Sequence, residues 1–423
     1  MRILLLSHYF APENGAPQRR WDALIREFIA AGHEVEVMAP PPHYPAGKRP
    51  PEFAHTLRVG SSAVADCGAR VNRVAWLRHR GDIVTRTLDH MVASLASYRR
   101  ASRRIRKREF VPDVIIATAP AVPTLIAGRL LSRRFGIPLV VEMRDAWPDL
   151  VTHTPMLGKR HGPAGWVKQR IHESITALQR SGATVVTTTE SFAGVLHERG
   201  VRQVHVIRNG THPEIFEQVP EHELHDGALR VLYMGTIGRS QGLELVVQAV
   251  AELKRMGTPI EARIIGQGHE RRPLMRLNAQ LGYPVEFLPA VAPSEVAAHY
   301  AWADTTIVSL RDWEPFDWTI PSKLYELLSS GRHVTAIVRG ESAQIIRDAE
   351  AGDVVTPGHL DELVRTWRAL SLDPGRLQRD ETGRQWAREH VAFASLAEHY
   401  LRVLHGVVSQ MPPGLGHSAA QGK

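Results

Sequence analysis

Residues 2–38 read RILLLSHYFAPENGAPQRRWDALIREFIAAGHEVEVM and contain a complete strand–helix–strand pattern. The apolar run Ile3–Ser7 and the alternating run Glu34–Met38 predict two short strands. Residues 18–31 between them have helical spacing, with one apolar face formed by Trp21, Leu24, Ile25 and Phe28. Because successive strands joined by a helix pair in parallel, this stretch predicts an α/β fold.

The same alternation of short apolar runs and helical segments continues along most of the chain. In the first half, further strands are predicted at residues 114–117, 139–142 and 184–188. In the second half, strands are predicted at 230–234, 261–265, 285–288, 305–309, 333–337 and 353–356. Two such series predict two doubly wound parallel sheets, with ligands at the carboxyl ends of the strands and the reaction in a cleft between the domains.

The domain boundaries are predicted from where this alternation stops. Residues 1–211 and 229–382 are predicted to form two Rossmann-like domains, joined by the acidic, proline-containing linker 212–228. One long last helix is predicted at about 377–403. Its residues 383–406 are expected to pack back toward the N-terminal domain, and residues 407–423 are expected to be a disordered tail.

The composition excludes several classes of protein. With 423 residues, 43% hydrophobic and 23% charged, the chain is neither fibrous nor disordered. The single cysteine, Cys67, excludes an internal disulfide and fits a reducing compartment. The N-terminal apolar run is too short for a signal peptide, and the uncharged stretch 114–128 is too short to span a bilayer. A soluble or peripheral cytoplasmic protein is therefore expected.

The net charge of +8 is concentrated in one segment. Residues 1–211 carry an excess of 14 positive charges and residues 212–423 an excess of 6 negative charges. Residues 99–108 hold seven basic side chains and no acidic one, and they continue a helix predicted to begin before them. A mostly apolar stripe on this helix is formed by Leu88, Met91, Leu95, Tyr98, Ser102 and Ile105. This pattern predicts either a basic amphipathic helix on an anionic membrane or a solvated helix packed on its own domain. The membrane-contact residues of the first alternative are Arg99, Arg100, Arg103, Arg104, Lys107 and Arg108.

Two segments of the second half could bind a nucleotide. Residues 233–243 end a strand, pass through a glycine turn and begin a helix, where backbone N–H groups and Arg239 would bind a diphosphate. The alternative is an ordinary turn. On the helix predicted at 323–330, Lys323 and Glu326 lie three residues apart and face the same side. The Glu326 carboxylate could accept hydrogen bonds from ribose hydroxyls. The alternative is a surface ion pair beside a helix cap.

Three further loops are weaker candidates. Gly266 and Gly268 follow a strand and would allow close approach to a base, although the full dinucleotide fingerprint is absent. The segment Glu13–Gly15 follows the first strand, as a ligand loop or a plain turn. Asp145 would orient an acceptor hydroxyl or take its proton, and the alternative is a helix cap. No cysteine–histidine zinc spacing occurs, and most of the 22 histidines are expected at the surface. Nucleic-acid binding is not expected, because the basic segment lacks interleaved aromatic residues.

In this order and spacing, the motifs resemble those of the family 4 glycosyltransferases, which have the GT-B fold. The segments that carry the resemblance are HYFAPENGAPQRR, VIRNGTHPEIF, YMGTIGRSQGLE, IIGQGHE, IPSKLYELLSSGRHV and RGESAQIIRDAEAGDVV. The likeness runs from Met1 to about Val403, and within the family it is greatest to bacterial transferases of polysaccharide and O-antigen biosynthesis. It implies two Rossmann-like domains facing across a cleft, with the acceptor on the N-terminal side and the nucleotide sugar on the C-terminal side.

The resemblance also implies roles for individual residues. The implied catalytic residues are Arg239, Asp145 and Glu326. The implied donor-binding residues are Gly15, Gly238, Arg239, Gly266, Gly268, Ser322, Lys323, Glu326 and Glu341. The implied acceptor-side residues are Glu13, Asn14, Arg19 and Asp145. Two positions depart from the family pattern, because Trp318 replaces the first of two glutamates and Gln241 replaces a lysine.

The function implied is that of a retaining transferase. It would move a sugar from a nucleotide donor, with a UDP-linked N-acetylhexosamine as first choice, to a hydroxyl of a lipid-linked or cell-surface saccharide. No cofactor and no metal are expected, and the location would be cytoplasmic, with the inner face of the membrane as a further candidate. Two alternatives stay open: a nucleotide-sugar 2-epimerase of the same fold, and a catalytically silent GT-B partner.

Overall fold

The computed structural model describes residues 1–410 except 14, 45–46, 54, 145, 147–148, 150–162, 226 and 380. The contacts within the chain divide it into two compact units. Unit 1 comprises Met1–Asn209 and Phe393–Lys423, and unit 2 comprises Gly210–Ala392.

Within the described residues, unit 1 is built on an eight-stranded sheet. Its strands are β1 (Arg2–Leu6), β2 (Glu34–Ala39), β3 (Ser62–Val64), β4 (Arg70–Arg73), β5 (Val114–Thr118), β6 (Leu139–Met143), β7 (Thr184–Thr187) and β8 (Val204–Val206). Their order in the sheet is β3-β4-β2-β1-β5-β6-β7-β8, and all neighbours are parallel except β3 and β4. The parallel sheet predicted from the first βαβ unit is therefore present.

Helices cover this sheet and bury its apolar strands. They are α1 (Ala16–Ala30), α2 (Ile83–Arg106), α3 (Pro123–Phe135), α4 (Pro163–Gln179) and α5 (Glu190–Glu198). The Asp82 side chain caps α2 by accepting a hydrogen bond from the Thr85 N–H at 2.9 Å. The predicted apolar face of α1 is buried against the sheet, because Leu24, Ile25 and Phe28 have no exposed surface.

Unit 2 contains, among the described residues, a six-stranded sheet that is parallel throughout. Its strands are β9 (Leu229–Met234), β10 (Ile260–Ile265), β11 (Glu286–Leu288), β12 (Thr305–Ser309), β13 (His333–Ile337) and β14 (Gly352–Val355), in the order β11-β10-β9-β12-β13-β14. Its helices are α6 (Glu244–Arg255), α7 (Arg271–Gln280), α8 (Val296–Trp302), α9 (Ser322–Ser330), α10 (Gly340–Asp348), α11 (Leu360–Leu372) and α12 (Thr382–Val391). The reversal of strand order beside β9 is typical of doubly wound sheets.

The long last helix predicted at 377–403 is two helices, so that prediction is corrected. The break is at Ala392, whose backbone is extended and pairs with Thr211. The Thr211 N–H donates to the Val391 carbonyl at 2.9 Å, an interaction that a continuous helix would not allow. The last helix, α13 (Phe393–Ser409), belongs to unit 1, where Tyr400 packs near Trp21. Of the predicted segment 383–406, only the part from Phe393 onward thus lies in unit 1.

Two other segment predictions also need correction. The tail predicted at 407–423 is helical as far as Ser409, and the rest of it from 411 lies outside the described residues. The predicted linker 212–228 belongs to unit 2, because His222 and His225 donate to the same Asp304 oxygen at 2.9 and 3.0 Å. Burial alone would raise the pKa of Asp304, but hydrogen bonds from His222 and from the Arg230 N–H hold it below its usual value.

Across the described part of the chain, the helices are either too short or too polar to span a membrane.

Candidate functional site

The carboxyl ends of the parallel strands of unit 2 lie at one edge of its sheet, where the loops after β9, β10, β12 and β13 meet. Gly266 and Gly268 pack against the loop after β9, with φ values of +146° and +157°. A Cβ atom at Gly266 would lie 1.9 Å from the Gly235 carbonyl oxygen, and one at Gly268 would lie 2.0 Å from that of Ile237. Glycine is required at both positions by contact between the two loops, whatever ligand this edge binds.

The loop after β9 is a tight turn that leaves one arginine in solvent. The Gly238 N–H donates to the Gln241 side-chain oxygen at 3.1 Å, so the glutamine found in place of a lysine closes the turn. Arg239 is 81% exposed, and its Nε lies 3.2 Å from Oε1 of Glu270. A pair this exposed contributes little to stability, so the guanidinium can be redirected to an anion at low cost.

A second arginine braces the same turn and was not predicted from the sequence. Arg311 follows β12, and its N–H donates to the Ser240 carbonyl at 2.8 Å. Its guanidinium donates to the Arg239 carbonyl at 2.7 Å and to Glu244 at 2.6 Å. The sequence did contain a signal for Arg311, because it is a basic residue just past the carboxyl end of a predicted strand.

Lys323 and Glu326 lie on the first turns of α9, as their spacing predicted. The Lys323 ammonium donates to the Glu326 carboxylate, and both side chains are mostly buried. The Lys323 Cε atom lies 3.7 Å from where a Cβ of Gly235 would be, which places this ion pair beside the loop after β9. Ser322 is the first residue of α9. The helix terminus and the ammonium together favour anion binding at this edge.

The loop after β13 contacts the segment that contains Trp318. The Glu341 N–H donates to the Asp317 carbonyl at 3.5 Å, and the Ser342 hydroxyl donates to the Thr319 carbonyl at 3.2 Å. Burial raises the pKa of Asp317. Glu341 is half-buried at the start of α10. Lys323 and Glu326 at the start of α9, and Glu341 at the start of α10, therefore follow loops at one edge of a single sheet.

In unit 1, Glu13 is a brace between two loops. One of its carboxylate oxygens accepts hydrogen bonds from the N–H groups of His43 and Tyr44 at 2.6 and 2.8 Å, and the other accepts from Gln18 at 2.9 Å. Gly15 begins α1 with φ of −170°, a conformation that any residue adopts. Arg19 is exposed on the first turn of α1. Asn14 and Asp145, also predicted for this site, lie outside the described residues.

Two family models match the chain and together span most of it. Residues 15–210 match the glycosyl transferase 4-like domain, and residues 228–373 match glycosyl transferases group 1. The chain belongs to the GT-B glycosyltransferases. Family, fold class and enzyme type expected from the motifs are thereby confirmed, and the two matched regions fall in unit 1 and unit 2 respectively, apart from Gly210.

Similar proteins cover the chain from end to end. The putative colanic acid biosynthesis glycosyl transferase WcaI of Escherichia coli (strain K12) is 24% identical, over 96% of this chain and 100% of that protein. The solved structure of sucrose-phosphate synthase from Thermosynechococcus elongatus has a TM-score of 0.73 at 15% identity, over 97% and 100% of the two chains. The Anabaena protein HepE in complex with UDP-glucose has a TM-score of 0.66 at 15% identity, over 96% and 100%. At this identity the two structures show the shared fold.

The basic helix of this glycosyltransferase is α2, and its residues have two different environments. Leu88, Met91 and Leu95 are 49%, 55% and 48% exposed, whereas Ser102 and Ile105 are buried in unit 1. Arg104 pairs with Glu36 at 2.7 Å and Glu109 at 2.8 Å, and the Arg100 Nε donates to Asn72. Of the predicted membrane-contact residues, the exposed ones are Arg99 and Arg103 on α2 and Lys107 and Arg108 just after it. The predicted apolar stripe is thus exposed in the first half of α2 and packed in the second.

A cavity of about 540 Å³ in unit 1 is lined largely by arginine side chains. Its charged lining residues are Arg73, Arg99, Arg100, Arg103, Arg104 and Glu109. The Arg73 side chain is held in position, because its guanidinium donates hydrogen bonds to the carbonyls of Pro40 and Ala11. The cavity therefore has an excess of positive charge.

Four histidines of this glycosyltransferase are exceptions to the expected surface location. His8, His43, His79 and His333 are buried, although most histidines were expected at the surface. His8 and His43 follow β1 and β2, which are neighbours in the sheet, and this was the signal that could have brought them together. Their buried partner is Asp89 of α2.

Proposed function

We propose that this glycosyltransferase moves a sugar from a UDP-sugar to a hydroxyl of a lipid-linked or cell-surface saccharide, with retention of configuration. The observation that carries the proposal is that Arg239, in the turn after β9, and Lys323 and Glu326, on the first turns of α9, lie at one edge of the unit 2 sheet. Two comparisons support it: HepE is solved with UDP-glucose, and WcaI is named for colanic acid biosynthesis. An N-acetylhexosamine is the preferred sugar.

In the proposed reaction, the bond between the sugar carbon and the diphosphate oxygen breaks, and its electron pair stays on the diphosphate. Arg239, Lys323 and the N–H groups at the start of α9 stabilise that developing charge. Glu326 accepts hydrogen bonds from the ribose hydroxyls. The acceptor hydroxyl attacks on the face that the diphosphate leaves, and a donor phosphate oxygen takes its proton. These steps need no metal and no cofactor.

A thermal-shift panel of nucleotide sugars tests the donor assignment. UDP-linked sugars are expected to raise the melting temperature of the purified chain, because a ligand at about a hundred times its Kd stabilises the native state by about 2.7 kcal/mol. The Glu326→Ala variant should lose that shift, and Glu252→Ala, a surface change on α6, should keep it. Stabilisation by ADP- or GDP-sugars and none by UDP-sugars would overturn the UDP assignment.

We further propose that unit 1 contacts the anionic inner face of the cell membrane, where a lipid-linked acceptor would be available. The exposed apolar residues Leu88, Met91 and Leu95 precede the exposed Arg99 and Arg103 on the same helix. Such a helix inserts its apolar residues among the lipids while its cations contact acidic headgroups. The arginine-lined cavity lies beside this surface and would accept a phosphate group.

Neutralising Arg99 and Arg103 together as Arg99→Gln/Arg103→Gln is expected to weaken binding to phosphatidylglycerol-containing vesicles roughly tenfold or more. Each cation near such a surface contributes about 1 kcal/mol. The matched control is Arg365→Gln/Arg368→Gln, which removes two exposed charges from α11 of unit 2. Co-sedimentation with vesicles measures both. Equal loss in the two variants would contradict a specific role for α2.

A further inference from the structure

Three polar side chains from separate elements meet in the interior of unit 1. His8 follows β1, His43 follows β2, and Asp89 lies in α2. The Nε2 atoms of His43 and His8 lie 2.9 and 3.1 Å from the same Oδ2 atom of Asp89. The three atoms all lie within 4.8 Å of one another, and the three residues are at most 5% exposed. We call this group the His8 cluster.

The hydrogen bonds of His43 leave a conflict in this cluster. The His43 Nδ1 lies 2.8 Å from the Pro41 carbonyl oxygen, which only accepts, so Nδ1 carries the hydrogen. In the neutral ring, Nε2 then presents a lone pair to the Asp89 carboxylate, which is also an acceptor. Two acceptors 2.9 Å apart in a buried site repel unless a positive charge lies between them.

His8 adds a second unsatisfied atom to the same space. Its Nε2 is buried and makes no hydrogen bond to any residue that the structure describes, although Asp89 is close. The other Asp89 oxygen is occupied, because it accepts from the Leu77 N–H at 2.8 Å. A buried nitrogen without a hydrogen bond carries a free-energy cost, which a ligand at the centre of the cluster would remove.

A second group of the same composition in unit 2 has no such pair of facing acceptors, although the His222 Nδ1 there is also buried without a hydrogen bond to any residue that the structure describes. There, the Gly227 N–H donates to Nδ1 of His225, so the hydrogen of that ring lies on Nε2 and is donated to Asp304. Asp304 thus receives ordinary hydrogen bonds from its histidines. The conflict in the His8 cluster therefore does not arise merely from two histidines facing one aspartate.

We propose that His8, His43 and Asp89 bind one divalent transition-metal ion, with zinc as the best fit. Two imidazole nitrogens and a carboxylate oxygen form a common ligand set for this ion. Donor atoms around tetrahedral zinc lie about 3.3 Å apart, and two of the three separations here are 2.9 and 3.1 Å. The other ring nitrogen of His43 donates to the Pro41 carbonyl, a hydrogen bond typical of histidines that bind a metal.

The role of this ion is structural and separate from the proposed transfer step. It would tie the carboxyl ends of β1 and β2 to α2. The His43 N–H in the loop after β2 also donates a hydrogen bond to Glu13, a predicted acceptor-side residue. The ion would therefore also hold the loop that contains Glu13. Chelation should therefore destabilise unit 1 while leaving nucleotide binding by unit 2 intact, which separates this proposal from the proposed function.

The test is metal analysis of the full chain prepared without a polyhistidine tag. We expect about one zinc ion per chain after dialysis, and a tetrahedral visible spectrum when Co²⁺ replaces it. His8→Gln should weaken Zn²⁺ binding more than roughly a hundredfold, measured by competition with a chromophoric chelator. His222→Gln, the matched change in the unit 2 group, should leave the Zn²⁺ affinity unchanged. Circular dichroism shows that each variant is folded.

A second measurement keeps the proposal falsifiable if His8→Gln fails to fold. Chelator should lower the melting temperature of the unmodified chain, and added Zn²⁺ should restore it. A chain that holds less than about a tenth of an ion, gives no Co²⁺ spectrum and is unaffected by chelator would overturn the proposal. The His8 cluster would then be an Asp89 carboxylate paired with a doubly protonated His43.

Discussion

Replacing Arg239 or Glu326 by alanine is expected to lower the rate of sugar transfer at least about a hundredfold. The leaving diphosphate gains negative charge as the glycosidic bond breaks, and a positioned cation at that point is worth several kcal/mol. Arg239 has a freedom to reorient that its neighbour Arg311 lacks. Arg311 is engaged with the Arg239 carbonyl and Glu244, whereas Arg239 is 81% exposed and only loosely paired with Glu270.

The two variants should differ in whether the loss of activity appears in kcat or in the KM of the donor. Arg239→Ala removes an interaction that strengthens as charge develops, so kcat should fall with little change in the KM of the donor. Glu326→Ala also leaves the Lys323 ammonium without its ion-pair partner, so donor binding should weaken as well. Initial rates over a range of UDP-sugar concentrations separate the two effects.

The matched control for Arg239 is Arg255→Ala, which removes an exposed arginine paired to a glutamate on α6. It should transfer at the unmodified rate. Unchanged transfer by both Arg239→Ala and Glu326→Ala would show that the donor site has been assigned to the wrong residues.

Most of the fold was predictable because buried parallel strands appear as short apolar runs between helices. Strands β12 and β13 match the predicted 305–309 and 333–337, and both are wholly buried. Of the three described strands that were missed, β3, β4 and the three-residue β8, the first two lack this signal. The residues of β3 are exposed throughout, and β4 reads RVNR, in which polar side chains alternate with one valine.

The donor side of the site was more predictable than the rest. Lys323 and Glu326 are neighbours on one helix, so their contact follows from a spacing of three residues. The His8 cluster joins residues separated by 35 to 81 positions, and only the order of strands in the sheet brings them together. The break at Ala392 likewise depends on pairing with Thr211, which no local pattern contains.

Arg20 illustrates a signal that was present in the sequence but not used. It lies four residues before Leu24 and eight before Phe28, so it shares the apolar face of α1. Its side chain is 1% exposed and pairs with Glu142, which is fully buried. It also donates to the Ile207 carbonyl at 2.9 Å, which ties α1 to the segment after β8.

Arg20→Met is therefore expected to destabilise unit 1 by about 3–5 kcal/mol. Methionine fills much of the same volume, but it leaves the Glu142 carboxylate buried without its cation. Among the residues that the structure describes, the Thr118 hydroxyl at 2.7 Å is then its remaining side-chain donor. Urea denaturation followed by circular dichroism measures the loss as a lower midpoint for the transition of unit 1.

Two further variants distinguish the uncompensated charge of Glu142 from a loss of packing as the cause of the destabilisation. Arg26→Met changes an arginine of the same helix whose pair with Asp22 is half-exposed, and it should cost less than about 1 kcal/mol. The double variant Arg20→Met/Glu142→Gln removes the uncompensated charge, so it should recover part of the stability lost in Arg20→Met. If the double variant is no more stable than Arg20→Met alone, the buried charge is not the cause, and the loss must come from the guanidinium bonds to the chain after β8.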